Sequence, residues 1–318
     1  MKMNWMRFAL EELRHVRGFG DARNLMHKYP FFINRIAGTA GRCRDYPLAL
    51  QIEPTNICNI ACTCCSRKSL TREIGCMEFR LFRKIIDDAA MSRVRMVYLY
   101  LHGEPFLHPE IMEMIAYVKS KGLAVVITTN GMLLDRDATR RLLGCGLTNA
   151  DHLIFSVLGN SRQTHERIMN GVSHDQVVRN IEGILAARKS MHMNGPIIEA
   201  AIYRMRENSH EIDDFIRRWR GVVDHVREPA AISEQFSPSG KCRQRAVACK
   251  NIQERLTIFW NGDVSLCHAD LNGRHRFGNM EEMGIREVWN DTALPHFRQM
   301  HRKLKFTESQ MCASCDWT

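Results

Sequence analysis

The chain has 318 residues, 45% of them hydrophobic and 25% charged, an ordinary globular composition long enough for one large domain and a smaller one. No run of about 18 apolar residues exists, so no membrane span is expected, and Met1 to Leu13 lacks the apolar core and small-residue cleavage site of a secretory signal. The net charge of +10 is spread along the chain without any nucleic-acid-binding motif, which suits an anionic cofactor, an acidic redox partner or a phosphorylated substrate better than nucleic acid.

In chain order, residues 1–46 read as a partly amphipathic helical extension, with Trp5, Phe8, Leu13 and Val16 and then Leu25, Phe31, Phe32 and Ile36 as its apolar positions. Leu48 to Glu53 is a strand ended by Pro54. Helical and strand patterns then alternate. Helices are expected at Phe79 to Met91, Pro109 to Lys121, Asp135 to Leu143, Val177 to Lys189 and Glu211 to Trp219. Strands are expected at Val94 to Leu101, Leu123 to Thr128, Leu153 to Val157, Ile197 to Tyr203 and Val222 to Val226. Such alternation predicts parallel βαβ units in an α/β fold, here a partial (β/α)6 TIM-like barrel over residues 47–236. Chemistry in such barrels sits at the C-terminal ends of the strands. Residues 237–318 break the pattern, with a β-hairpin from Leu256 to Leu266 around Asn261-Gly262, a strong two-residue turn signal.

Twelve cysteines in a chain without a secretory signal point to metal or redox use in a reducing cytoplasm rather than to disulfides. Cys58, Cys62 and Cys65 form a C-x3-C-x2-C run directly after the first strand. Three thiolates this close suit three irons of a [4Fe–4S] cube and leave the fourth open. Structural zinc, the alternative, usually takes paired C-x2-C units and four ligands. A second set lies downstream, with Cys267, Cys312 and Cys315 and either Cys249 or Cys242 as the fourth ligand. A zinc ribbon is the alternative there as well.

The first run resembles the radical S-adenosylmethionine (SAM) superfamily, and the second resembles its auxiliary-cluster domain, called SPASM, in the shortened "twitch" form. The resemblance covers about residues 48–318 and implies SAM and two [4Fe–4S] clusters as cofactors, with a flavodoxin or ferredoxin-type reductant. Residue by residue, it implies that Gly103 and Glu104 in His102-Gly103-Glu104-Pro105 meet the methionyl amine of SAM, with Asn130, Ser156 and Arg167 also at the cofactor. The family's carboxylate-pairing arginine falls here on Met169, a departure that leaves Arg167 or no residue in that role. It also implies hydrogen-atom abstraction from a sugar or aminocyclitol carbon of a natural product such as an aminoglycoside. The neomycin-type epimerases resemble it in this respect, the thiol not used as a ligand (Cys242 or Cys249) serving as hydrogen donor. A secondary-alcohol dehydrogenase and a peptide-modifying enzyme are the alternatives. Glu199, Glu234 and Asp270 are the carboxylates expected near a sugar's amines and hydroxyls, and neither a nucleic acid nor a membrane is an expected partner.

Overall fold

The computed structural model describes residues 45–227, 248–313 and 315. The expected N-terminal extension, the boundary near residue 236, Cys242 and Glu234 therefore lie outside the described residues. Residues 45–318 cluster as one compact unit.

The elements run β1 (Ala49–Ile52), β2 (Ala61–Cys62), α1 (Phe79–Ala90), β3 (Met96–Leu99), α2 (Ile111–Ser120), β4 (Ala124–Thr129), α3 (Arg136–Leu143), β5 (His152–Ser156), α4 (Arg162–Ile168), β6 (Met169–Asn170), α5 (His174–Ser190), β7 (Ile197–Ala201), α6 (Ile212–Trp219) and β8 (His225–Arg227). The C-terminal part adds α7 (Lys250–Glu254), β9 (Arg255–Ile258), β10 (Asp263–Ser265), β11 (Arg276–Asn279), α8 (Ile285–Asp291), α9 (Leu294–Arg302) and α10 (Gln310–Ala313). The six expected barrel strands are β1, β3, β4, β5, β7 and β8, all parallel and in that order.

Strands in such a sheet are covered on both faces, so they read as apolar runs. Leu50, Ile52, Val97, Leu99, Val125, Ile127, Leu153, Phe155 and Ile198 belong to the main core. There they meet helix stripes such as Leu81, Phe82, Ile85, Ile86 and Ala89 of α1, which recur at helical spacing. The alternate residues Ala49, Met96, Val126, Ile154 and Ala201 form a separate cluster with Tyr98, Tyr100 and Ala124. That second cluster marks the inner face of the barrel.

Two features differ from expectation. First, β9 pairs parallel with β1, Ala49 opposite Arg255 and Ile52 opposite Ile258. The hairpin therefore extends the barrel sheet, whose order is β11-β10-β9-β1-β3-β4-β5-β7-β8. Second, its turn holds three residues, not two. Phe259 N–H donates to the Asp263 carbonyl at 2.9 Å and Gly262 N–H to the Phe259 carbonyl at 2.9 Å. Gly262 takes φ +86°, so the loop is a type I turn followed by a glycine bulge.

Candidate active site

The loop after β1 is braced by a returning segment. Thr55 Oγ1 donates to the Gly75 carbonyl at 2.7 Å, Asn56 Nδ2 to the Glu73 carbonyl at 2.8 Å, and Gly75 N–H to Asn56 Oδ1 at 2.9 Å. On this loop Cys58, Cys62, Cys64 and Cys65 are half-buried free thiols. Burial and then the neighbouring Cys64, Cys65 and Cys58 push the Cys62 thiol up to about 12. Burial, followed by Cys65, pushes Cys64 up to about 11, and burial raises Cys58 despite Arg67 nearby. Cys65 Sγ accepts the Arg67 N–H at 3.4 Å. The raised Cys58 and Cys62 thiols stay protonated until a metal binds, and iron would supply the positive charge that releases their protons. Among the described residues no group of three or more converges on a point for a single metal ion. A four-iron cube draws its thiolates from separate corners and needs less convergence. Cys58, Cys62 and Cys65, three half-buried thiols on this one loop, are the residues that could hold such a cluster.

The β2–β6 ribbon holds the far side of this loop. Cys62 pairs with Met169 and Ala61 with Asn170, and Thr63 N–H donates to the Ile168 carbonyl at 2.8 Å. Met169, where the family pattern has arginine, is buried in this ribbon. Arg167 lies on the exposed side of α4 and donates to the Glu207 carbonyl at 3.2 Å.

The end of β3 lies directly on the cysteine loop. Glu104 N–H donates to the Ile57 carbonyl at 2.8 Å. A Cβ on Gly103 would come within 2.3 Å of the Thr55 carbonyl oxygen and 2.6 Å of that of Ile57, so only glycine fits. The Glu104 side chain is 3% exposed. It accepts from Thr129 Oγ1 at 2.7 Å and from Asn130 N–H at 2.8 Å. Burial raises this carboxyl to about 7, against the pull of those donors. Asn130 Nδ2 reaches back to Asn59 Oδ1 at 2.8 Å, so Gly103, Glu104 and Asn130 converge on the cysteine loop. Ser156, half-buried at the end of β5, sits beside Ala201 on the inner face.

Beyond the barrel, Cys267 is buried just after β10. Burial raises its thiol, and the neighbouring Cys249, Cys315 and Cys312 raise it further. Cys312 Sγ lies 3.3 Å from His301 Nε2. Cys249 thus shares one neighbourhood with the other three, a four-thiol set that fits a second cluster.

A polar network absent from the sequence reading joins these regions. Glu53, the residue after β1, is 0% exposed. It accepts from Arg72 Nη1 at 3.0 Å and Nη2 at 2.9 Å, and from Trp260 N–H at 3.3 Å. His102 Nδ1 lies 3.1 Å from Oε1, and its Nε2 3.0 Å from the His268 carbonyl. Arg72 also stacks 3.7 Å over Phe259 and donates from Nε to the Leu271 carbonyl at 2.8 Å. Burial opposes ionisation of Glu53, but His102 and Arg72 outweigh it and hold the carboxyl below its usual range. The signal available in sequence was an acid between a buried strand and a proline. Nothing in sequence marked Arg72 or His102 as its partners.

Of the carboxylates expected to face a sugar, the two among the described residues, Glu199 and Asp270, already have partners. Glu199 accepts from His152 Nδ1 at 2.5 Å and from Arg227 Nε at 2.7 Å and Nη2 at 3.3 Å. Burial opposes its ionisation, yet those partners bring it down to about 2. Asp270 accepts from Ser265 Oγ at 3.1 Å, Arg274 N–H at 2.8 Å and His275 N–H at 2.9 Å, which shapes its own loop.

Comparison with known proteins agrees with this geometry. The radical SAM superfamily matches residues 52–207, and the SPASM iron–sulfur cluster-binding domain matches residues 249–316. The Fe-coproporphyrin III synthase of Methanosarcina barkeri is 34% identical, over 83% of this chain and 79% of that protein. The tungsten-containing aldehyde ferredoxin oxidoreductase cofactor-modifying protein of Pyrococcus furiosus is 24% identical, over 84% of this chain and 88% of that protein. Among solved structures, BtrN in complex with AdoMet and 2-DOIA superposes with a TM-score of 0.60 at 17% identity, covering 85% of this chain and 92% of that one. With three cysteines on the loop after β1, a glycine–glutamate pair packed on that loop and the family match over the same residues, the chain belongs to the radical SAM superfamily and carries a C-terminal SPASM domain.

Proposed function

We propose that the enzyme removes a hydrogen atom from a carbon of a small molecule held at the inner face of the barrel and releases an oxidised product. The observation that carries this reading is the grouping of Cys249 with Cys267, Cys312 and Cys315, which supports a complete auxiliary site. When bound, the first cluster and SAM supply a hydrogen-abstracting 5′-deoxyadenosyl radical, and the second cluster supplies an acceptor for the substrate's remaining electron. Cys58, Cys62 and Cys65 hold the first cluster in this reading. A flavodoxin or ferredoxin-type protein supplies the electron, and the reducing cytoplasm is the compartment that suits free thiols. No described helix is long and apolar enough to cross a membrane.

A second reading, epimerisation of a sugar or aminocyclitol carbon such as that of an aminoglycoside, rests on the same grouping. If Cys249 is a ligand, Cys242 is the thiol left to return a hydrogen atom. The test incubates the reduced enzyme in D2O with aminocyclitols, aminoglycosides and sugar acids and reads product mass and deuterium. Loss of two mass units is the expected result. One solvent deuterium at an inverted carbon would replace oxidation by epimerisation, and no change on any sugar would sink both carbohydrate versions. In the same series, Cys249→Ala is expected to lose the iron of one cluster and Cys242→Ala none.

In this reading Glu104 accepts the ammonium of SAM, a bond that needs the carboxylate form. Because its carboxyl sits at about 7, SAM should bind roughly tenfold more weakly at pH 6 than at pH 8. A raised folded pKa also means that Glu104 favours the SAM-free fold below about 4.5, and that this contribution is lost as pH rises through about 7. Equilibrium dialysis of the reconstituted enzyme with labelled SAM reads the affinity. Glu104→Gln should bind weakly and without the pH slope; a flat wild-type profile would remove Glu104 from this role.

A further inference from the structure

We propose that the inner face of the barrel is an anion-recognition surface, with Arg255 positioned to pair with a carboxylate of the substrate. This names a substrate class and rests on the reading that the substrate lies at the inner face. Arg255 opens β9 opposite Ala49, an inner-face residue. Its guanidinium lies 3.9 Å over the Tyr98 ring, and Nη1 donates to Gln51 Oε1 at 3.2 Å. Its Nε is buried and has no hydrogen-bond acceptor. Among the described residues no carboxylate forms an ion pair with Arg255; of the buried acids, Glu53 is taken by Arg72 and His102, and Glu199 by Arg227 and His152.

A partly buried guanidinium with an unmet N–H is costly unless something anionic completes it. The Nε and Nη edge of arginine matches the two oxygens of a carboxylate. Arg227 lies on the same face but is paired with Glu199, which leaves Arg255 as the arginine there without a carboxylate partner among the described residues. Tyr98 feels both arginines, although burial dominates its environment. Tyr98 and Tyr100 stand edge to face with ring centroids 5.9 Å apart, and Met96, Val126 and Ile154 complete the wall. That setting suits a carboxylate on an organic body better than a fully hydrated inorganic anion. The alternative role for Arg255 is to balance the auxiliary cluster. Arg255 also acts on buried His268, next to Cys267, but its stacking on Tyr98 and its bond to Gln51 place the guanidinium at the inner face.

The test uses the reconstituted holoenzyme with SAM, and glutarate as the probe, read by calorimetry. Saturable glutarate binding is expected, with none for the neutral isostere glutaramide. Arg255→Gln should weaken glutarate binding at least about tenfold, and Arg255→Lys, which keeps the charge but not the fork, by less. Iron is counted in each variant. The proposal is overturned by absent glutarate binding, by equal binding of glutaramide, by tighter binding of inorganic phosphate, or by glutarate binding in Arg255→Gln equal to wild type. Loss of iron in Arg255→Gln would also overturn it, by assigning the residue to the cluster. SAM cleavage is measured separately on the wild-type protein, where its absence would sink the radical reading whatever glutarate does.

Discussion

Replacing Gly103 with alanine is expected to destabilise the protein by about 3 kcal/mol and to reduce SAM cleavage at least tenfold. The added Cβ would lie 2.3 Å from the Thr55 oxygen, 2.6 Å from the Ile57 oxygen and 2.8 Å from the Asn56 Cα. All three are backbone atoms of the cysteine loop, so no flexible side chain can move aside. Relief requires the β3 end to lift off that loop. The Glu104 N–H bond to Ile57 then lengthens, and the Glu104 carboxylate moves with it. Gly183→Ala is the control. Gly183 lies within α5, and a Cβ there meets nothing within 4 Å, so alanine should stabilise the protein by roughly 0.5–1 kcal/mol. Thermal unfolding and 5′-deoxyadenosine production read both variants. A Gly103→Ala protein with wild-type melting and cleavage would refute the close-packing account.

Glu53→Ala is expected to cost about 3–5 kcal/mol, because it strands the Arg72 guanidinium and a buried histidine without their acceptor. For a chain of this size the melting temperature should fall by on the order of 10 °C. The same site sets an acid limit. A depressed carboxyl contributes stability above its unfolded pKa, near 4.5, and that stability is lost as pH falls through the lower folded pKa. A double-mutant cycle with Arg72→Ala isolates the pair. If the two residues act as a unit, the double variant loses clearly less than the sum of the single losses. Additive losses would show that Glu53 and Arg72 stabilise the fold independently.

The barrel was legible because its strands are covered on both faces and its helices carry one apolar stripe each. All six strands and five of the helices between them lie within a few residues of their expected positions. Helix α4 and the two-residue β2–β6 ribbon were not legible, since so short a ladder has no periodicity to detect. The parallel pairing of β9 with β1 was hidden for another reason. The Asn261-Gly262 signal marks a local hairpin, and nothing local reports which distant edge that hairpin joins. At the site, glycine and glutamate after β3 and the amide after β4 were readable from their strand-end positions. The partners of Glu53 and Arg255 were not, because side chains brought together from separate loops and strands leave no local spacing to read.

The pairing of β9 against β1 has a consequence for synthesis on the ribosome. Until β9 emerges, roughly two hundred residues after β1, the β1 edge presents unpaired N–H and C=O groups to any passing strand. The cysteine loop leaves the ribosome early, but its wall closes late. A truncated chain ending before Arg255 is predicted to yield an aggregation-prone fragment rather than a smaller working barrel.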